Sequence, residues 1–255
     1  MALRQPSLLA RALEPLSASL WTLFLVWTVV VSIVWLGEIG DVDLQQRVAN
    51  AGLRSALEFF LRTLDAAWFV IAAANVYLAL VEAESLAVAR RWASIVFFGA
   101  WLISALSVWT TFPLGAIHYT ARLGMRIGPV PFGLLLMWFA FVGGARAFAM
   151  HFAPRASHVR VSIAVGLLVA LAAANLDPLA WKFRALWLWR PDAGMALAFA
   201  KNIGTWFLAA FGFAFAMRET RVASTAFAGF PRPAIVFLTF NAIFLLTHLA
   251  RAIRG

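Results

Sequence analysis

The sequence predicts an all-α fold, a polytopic membrane bundle of about seven transmembrane helices. Of its 255 residues, 64% are hydrophobic and only 13% are charged, and the mean hydropathy is +0.87. Soluble domains are about half apolar and about a quarter charged. The apolar residues also occur in long runs, whereas the strands of a membrane β-barrel alternate over about ten residues. Composition and pattern together therefore indicate membrane helices.

Each predicted helix approaches the length of about 20 apolar residues that crosses a bilayer core about 30 Å thick. The first is too long for the hydrophobic part of a secretory signal, and no small-x-small cleavage site follows it, so we expect a retained anchor. No internal repeat divides the chain, and we expect one integral membrane domain over residues 1–255. The predicted segments are Leu16–Leu36, Leu57–Val81, Trp92–Trp109, Phe132–Met150, Val161–Leu176, Met195–Met217 and Ala234–Leu249.

Two loops rich in proline, glycine and polar residues are predicted to share one membrane face. The segment Thr111–Pro131 joins the third and fourth helices, and Asp177–Gly194 joins the fifth and sixth. Two membrane crossings separate the loops, so the chain returns to the side from which it started. Lys201 and Asn202 lie about two turns into the sixth helix, which enters from the same face. The sequence therefore predicts that these residues converge.

The residues that bind metals and redox cofactors are missing or scattered. Cysteine is absent, which excludes disulfides, cysteine-based zinc sites and iron–sulfur clusters within the chain. The four histidines contain no i,i+3 or i,i+4 pair, so no helical two-histidine metal site is expected. No G-x-G-x-x-G motif follows a predicted strand, which argues against a nicotinamide or flavin site. We therefore expect no metal and no cofactor.

The net charge of +10 reflects basic residues that are spread over all the loops. They form no cluster interleaved with aromatic residues on a soluble surface, so we expect no nucleic-acid partner. Arginines at helix ends, beside anionic lipid headgroups, account for the charge. Lysines and arginines divide equally between the two sides of the seven-helix scheme, and the sequence therefore leaves the membrane orientation open.

Asp177 is the acid at the boundary of the predicted fifth helix. One interpretation is a carboxylic acid that apolar surroundings keep protonated and ready to donate a proton. The other is a helix N-cap, because Asp followed by Pro178 is a common start for a helix, here one that ends near Trp189. The two interpretations are compatible.

Other candidate side chains have a structural interpretation beside the functional one. Arg122 could hold a carboxylate or a water molecule, or bind lipid phosphate. Lys201 is an intramembrane candidate for function, but its long side chain can also extend to the interface. Trp187 and Trp189 belong either to an interfacial aromatic belt or to a binding site, where indole faces stabilise a cation or line a channel for an apolar ligand.

Several short motifs follow one another between Ser107 and Met217. In chain order they are Phe112-Pro113-Leu114-Gly115, Tyr119-Thr120, Leu123-Gly124, Val130-Pro131 before a Leu/Trp-rich helix, Leu176-Asp177-Pro178, Trp187-Leu188-Trp189, and Asn202 with Gly204 and Trp206. Their order and spacing resemble the carotenoid biosynthesis protein family, which includes membrane carotenoid 1,2-hydratases of the bisanhydrobacterioruberin hydratase type.

The resemblance implies a cofactor-independent hydratase, a lyase that adds water across the terminal C1–C2 double bond of an acyclic carotenoid end. It implies Asp177 as the proton donor, with Tyr119, His118 and Asn202 placing or deprotonating water. The implied partners are an acyclic carotenoid or another long apolar lipid, together with membrane lipids, and the implied location is the bacterial inner (cell) membrane. The implied substrate-binding residues are Arg122, Trp187, Trp189, Lys201 and Trp206.

The chain departs from the family pattern at three positions. Hydratases of the family carry further acids where this chain has Ser104, Ala121 and Ala173. Protonating an unactivated alkene and deprotonating the added water need an acid and a base. The departure favours an alternative function, a non-catalytic membrane protein that binds carotenoid or lipid. A small-molecule transporter is the third hypothesis, and it would need paired charges along a path and usually repeats.

Overall fold

The computed structural model describes residues 8–40, 46–190, 194–217 and 231–254. Seven long helices in these ranges form a bundle, and each is long and apolar enough to cross a membrane. The predicted polytopic helical bundle is confirmed, and the chain is an integral membrane protein. The helices are α1 (Leu8–Leu36), α2 (Ala51–Ala83), α3 (Leu86–Thr110), α4 (Phe132–Phe152), α5 (His158–Lys182), α6 (Met195–Ala216) and α7 (Arg232–Arg254).

Polar caps extend several helices beyond the apolar runs that predict them. The Asn50 side chain accepts a hydrogen bond from the N–H of Leu53 at the start of α2. In the same way, Ser85 accepts one from the N–H of Val88 at the start of α3. Such caps satisfy N–H groups that have no partner within the helix. They explain why α2 and α3 begin well before the predicted segments.

The fifth helix corrects the prediction of a loop and a helix start at Asp177. α5 begins after the Ser157 cap and continues to Lys182, so Asp177 lies inside the helix and is not an N-cap. Pro178 has no N–H and leaves the carbonyl of Ala174 without its helical donor. The helix continues nevertheless because α5 packs extensively against α6, and tertiary packing of this kind overrides local preference.

α4 is the central helix of the bundle. It is buried along most of its length and packs against α2, α3, α5 and α7. Large aromatic side chains fill the space beside it. The ring centroids of Trp68 and Phe240 lie 4.2 Å apart, and Phe141 of α4 meets Phe240 edge-on at 5.4 Å. Because lipid is as apolar as these side chains, van der Waals packing of this kind holds the helices together.

The two loops that were predicted to share a face meet in a small sheet. β1 (Ile117–Tyr119) pairs antiparallel with β4 (Trp187–Trp189). A hairpin of β2 (Arg126–Ile127) and β3 (Val130–Pro131) leads directly into α4. A 3₁₀ helix, Ala121–Leu123, lies between β1 and this hairpin. The strand pairing places both loops at the same end of the bundle, as the number of membrane crossings predicts.

Gly133 allows the 3₁₀ helix to sit close to the start of α4. A Cβ atom at this position would lie 2.5 Å from the carbonyl oxygen of Leu123, closer than a side chain tolerates. This close contact fixes the loop against α4. The cavity described below depends on the same helix.

Cysteines introduced together at His118 and Leu188 should form a disulfide on mild oxidation. The two positions are exposed and lie opposite each other in β1 and β4 of this naturally cysteine-free chain. Loss of maleimide-reactive thiols measures the reaction. The control pairs a cysteine at His118 with one at Ala153, which follows α4 at the other end of the bundle and should leave both thiols reactive. If both variants lost their maleimide-reactive thiols to the same extent, this result would contradict the pairing of β1 with β4.

Candidate functional site

The β1–β4 pair directs alternate side chains into the bundle. Its register sets Tyr119 opposite Trp187 and Ile117 opposite Trp189. Successive side chains of a strand point to opposite faces, so Ile117 and Tyr119 are buried while His118 between them is exposed. Trp187 is buried as well. The sheet therefore forms one wall of a site inside the end of the bundle.

Asp177 lies at the centre of this site and is 1% exposed. Its Oδ1 accepts a hydrogen bond from Trp187 Nε1 at 2.8 Å and another from Asn202 Nδ2 at 3.1 Å. Its Oδ2 makes no hydrogen bond of regular geometry among the residues that the structure describes, although the Trp189 indole approaches the carboxyl group. Two neutral donors therefore hold one carboxyl oxygen, and the other oxygen is left for a proton.

The chain of hydrogen bonds continues from Asn202 along α6. Asn202 Oδ1 accepts a hydrogen bond from Trp206 Nε1 at 3.0 Å, which fixes the orientation of its amide. The Trp206 ring lies parallel to Trp138 of α4, with 3.6 Å between the ring centroids and 7° between the planes. Side chains from α4, α5, α6 and β4 therefore meet at this site.

A small cavity lies among these aromatic rings. It offers about 10 Å³ to the centre of a water molecule, which is room for about one water. Asp177 is not itself a lining residue, but it is hydrogen-bonded to two of them, Trp187 and Asn202. Most of the lining is apolar. The lining residues are Leu114, Ile117, Tyr119, Leu134, Trp138, Trp187, Asn202 and Trp206.

Tyr119 contributes a neutral hydroxyl group to the cavity wall. Burial raises the pKa of Tyr119, and the nearby Ser104 hydroxyl lowers this pKa in part. The phenol therefore keeps its proton at physiological pH. Ser104 Oγ makes no hydrogen bond of regular geometry within the described part of the chain, and neither does the buried Nε1 of Trp138.

A second buried aspartate, Asp65 of α2, has hydrogen-bond partners of a different kind. Its Oδ2 accepts hydrogen bonds from Arg184 Nε at 3.2 Å and Nη2 at 2.8 Å, and its Oδ1 accepts one from Trp35 Nε1 at 2.9 Å. The Asp65 and Arg184 side chains are 0% and 3% exposed. A guanidinium thus balances this carboxylate, and all its oxygens have partners. Asp65 is a structural anchor, whereas one oxygen of Asp177 makes no hydrogen bond of regular geometry in the described structure.

Five of the predicted site residues come together around the cavity. Trp189 lies next to them, since it pairs with Ile117 and its indole approaches the carboxyl group of Asp177. The strand register and the long α5 helix account for this convergence. The five residues are Asp177, Tyr119, Asn202, Trp187 and Trp206.

Three other predicted site residues are not brought to the cavity. His118 and Lys201 are exposed and lie outside its lining. Arg122 belongs to the 3₁₀ helix, where its Nη1 donates to the carbonyl of Leu61 in α2 at 3.4 Å. No group of three metal-ligating side chains forms within the described ranges.

The sequence-based hypothesis missed Trp138 and the pair of Asp65 with Arg184. Trp138 lies one helical turn after Leu134, and both line the cavity from one face of α4. This spacing, directly after the proline-rich loop, is the sequence feature that could have identified Trp138 as a site residue. For the ion pair, the signal was one acid and one base close to membrane segments, because membranes bury charged side chains in pairs.

A family model described as carotenoid biosynthesis protein matches residues 64–253. The match covers about three quarters of the chain and includes every residue that lines the cavity. The chain belongs to the carotenoid biosynthesis protein family. The predicted family is confirmed, and with it a role in carotenoid biosynthesis; the match extends beyond the resemblance over Ser107–Met217 and includes Asp65. No curated protein and no solved structure matches the chain.

Replacing Asn202 with Leu should destabilise the protein by about 1–3 kcal/mol. The apolar side chain has a similar size but removes a donor to Asp177 and the acceptor for Trp206. Thermal unfolding in detergent should show a lower midpoint. Lys201→Leu is the control, because Lys201 is the exposed neighbour and its replacement should leave the midpoint unchanged. A wild-type midpoint for Asn202→Leu would contradict the hydrogen-bond chain.

Proposed function

We propose that this protein is a cofactor-independent carotenoid hydratase, which adds water to the terminal C1–C2 double bond of an acyclic carotenoid end. The observation that carries the proposal is the buried carboxyl group of Asp177, which has one oxygen held by two donors and one oxygen without a partner in the described structure. The aromatic cavity beside it suits an apolar end group. Membership of the family supports the substrate class.

The first step is protonation of the alkene by Asp177. Oδ1 already accepts two hydrogen bonds, so the acidic proton resides on Oδ2. Transfer of this proton to C2 forms a C–H bond from the π electrons and leaves a tertiary cation at C1. The N–H groups of Trp187 and Asn202 then stabilise the carboxylate that forms.

Aromatic rings surround the place where the cation forms. Trp138, Trp187 and Trp206 line the cavity together with Tyr119. The face of an aromatic ring attracts a cation within about 6 Å, and the attraction is stronger where water is excluded. The rings therefore lower the energy of the cation without reacting with it.

Capture of the cation by water completes the reaction. The water oxygen forms the C1–O bond, and one water proton passes to the Asp177 carboxylate, which restores the acid. The net change is the addition of one water molecule, with no change in oxidation state. One carboxyl group serves first as acid and then as base, so the reaction does not require acids at Ser104, Ala121 and Ala173.

Substrate entry requires the cavity to widen, because it holds about one water molecule. The aliphatic lining residues Leu114, Ile117 and Leu134 are the side chains that can move without breaking a hydrogen bond. The carotenoid reaches them from the surrounding lipid, in which it dissolves. We propose the bacterial cell membrane as the location.

A non-catalytic protein that binds carotenoid or lipid is the second candidate. Ser104 and Ala173 are buried near the site, Ser104 beside Tyr119 and Ala173 one turn before Asp177, and neither is an acid. This observation favours binding without turnover. In that case Asp177 serves only as a hydrogen-bond acceptor that shapes the cavity.

The Asp177→Asn variant should lose hydratase activity by orders of magnitude and keep its fold. Asparagine has nearly the same volume and its oxygen can accept the bonds from Trp187 and Asn202, but it has no acidic proton. Product is measured by chromatography and mass spectrometry of pigments from cells that make an acyclic carotene. The amounts are normalised to the yield of folded protein.

Asp65→Asn is the matched control, because it changes the other buried aspartate. It leaves the Arg184 charge buried without its partner and should cost about 3–5 kcal/mol of stability, but product per folded molecule should fall far less than in Asp177→Asn, because the acidic proton of Asp177 remains. Wild-type product formation by Asp177→Asn would remove Asp177 from the mechanism. If the wild-type protein forms no hydroxylated product from any acyclic carotene, the hydratase proposal is wrong and the second candidate, a non-catalytic binding protein, replaces it.

A further inference from the structure

One buried indole N–H at the site has no acceptor in the described part of the structure. Trp138 lines the cavity and is fully buried, and its Nε1 has no hydrogen-bond partner there. Buried indole N–H groups usually find an acceptor. Four other buried tryptophans donate to a side chain of the bundle: Trp35, Trp68, Trp187 and Trp206.

Two more buried polar atoms, without a hydrogen bond of regular geometry in the described structure, belong to side chains that contact the cavity lining. Asp177 Oδ2 belongs to the carboxyl group that is bonded to two lining side chains. Ser104 Oγ lies near the phenol of Tyr119, which lines the cavity. Leaving a buried polar atom unpaired is costly. With Trp138 Nε1 these make three such atoms at or next to the cavity lining, and they point to a polar ligand atom in the cavity.

We propose that this cavity is a binding site for one neutral oxygen atom, which accepts a hydrogen bond from Trp138 Nε1. The inference rests on the proposed function, because the oxygen belongs to the attacking water before the reaction and to the tertiary hydroxyl group at C1 afterwards. An indole nitrogen can only donate, so the ligand atom has to be an acceptor. No basic side chain lines the cavity and Asp177 lies beside it, which disfavours an anion.

Trp138 then distinguishes an oxygen-bearing end from a hydrocarbon end. With a hydroxylated end in the cavity, the indole N–H is satisfied, and the hydroxyl oxygen can also accept a hydrogen bond from the protonated Oδ2 of Asp177. With a hydrocarbon end, the acceptor has to be a separate water molecule, which costs entropy to hold in place. Sites that provide a hydrogen bond for a ligand hydroxyl select against the analogue that lacks it. Trp138 is thereby a catalytic residue, because it touches the oxygen that the reaction adds.

Binding of two probes to the protein in lipid nanodiscs tests this site. The probes are an acyclic carotene and its 1-hydroxy derivative, and wild type should bind the hydroxy derivative about fivefold more tightly. Trp138→Phe keeps a flat ring against Trp206 but has no N–H, so it should bind both probes with equal affinity. Trp101→Phe is the control, because its indole donates to Ile127 outside the cavity, and it should keep the wild-type ratio.

Each outcome of this titration decides the proposal. Equal binding of both probes by wild type would overturn the oxygen site, whether or not any variant folds. A preference that survives in Trp138→Phe would overturn the assignment to Trp138. A turnover assay on the same nanodiscs tests the oxygen site and the hydratase proposal separately. If wild type prefers the hydroxy probe but forms no product, the oxygen site is supported and the hydratase proposal is wrong. Product formation without any preference supports the hydratase and removes the oxygen site.

Discussion

The hydrogen bonds of one buried carboxyl group connect elements that are far apart in the sequence. Asp177 of α5 accepts hydrogen bonds from Trp187 of β4 and Asn202 of α6, and Asn202 leads to Trp206, which stacks on Trp138 of α4. Inside a membrane no water replaces a lost partner, so these polar groups depend on one another. The contacts that hold this end of the bundle together are therefore the same ones that shape the cavity.

The other buried aspartate fixes the frame around the first. Asp65 of α2 holds Arg184, which follows α5 directly, and Thr120 donates a hydrogen bond to the carbonyl of Ala185 in the same turn at 2.6 Å. This turn carries the chain from α5 into β4 and so sets the position of Trp187. A fully paired carboxylate supplies positioning, and in the proposed reaction the carboxyl group with only neutral donors supplies the proton. Separating the two tasks keeps the reacting group on a rigid support.

Hydropathy and the number of crossings predicted the bundle and the meeting of the loops, because both follow from spanning a bilayer. They could not predict the helix ends, which depend on caps such as Asn50 and on packing that carries α5 through Pro178. Strand pairing separates Tyr119 from its neighbour His118, and no local pattern in the sequence reveals that pairing. Trp138 joins the site through a ring stack that exists only in the folded chain.

The origin of the oxygen in the product tests the proposed hydration most directly. The protein in nanodiscs is given an acyclic carotene in water enriched in a heavy oxygen isotope, and the pigments are analysed by mass spectrometry. We expect a product that is heavier than the carotene by one water molecule and that carries the heavy isotope in a tertiary hydroxyl group at C1. Unchanged carotene, or a hydroxyl oxygen that comes from dioxygen instead of water, would contradict the proposed reaction.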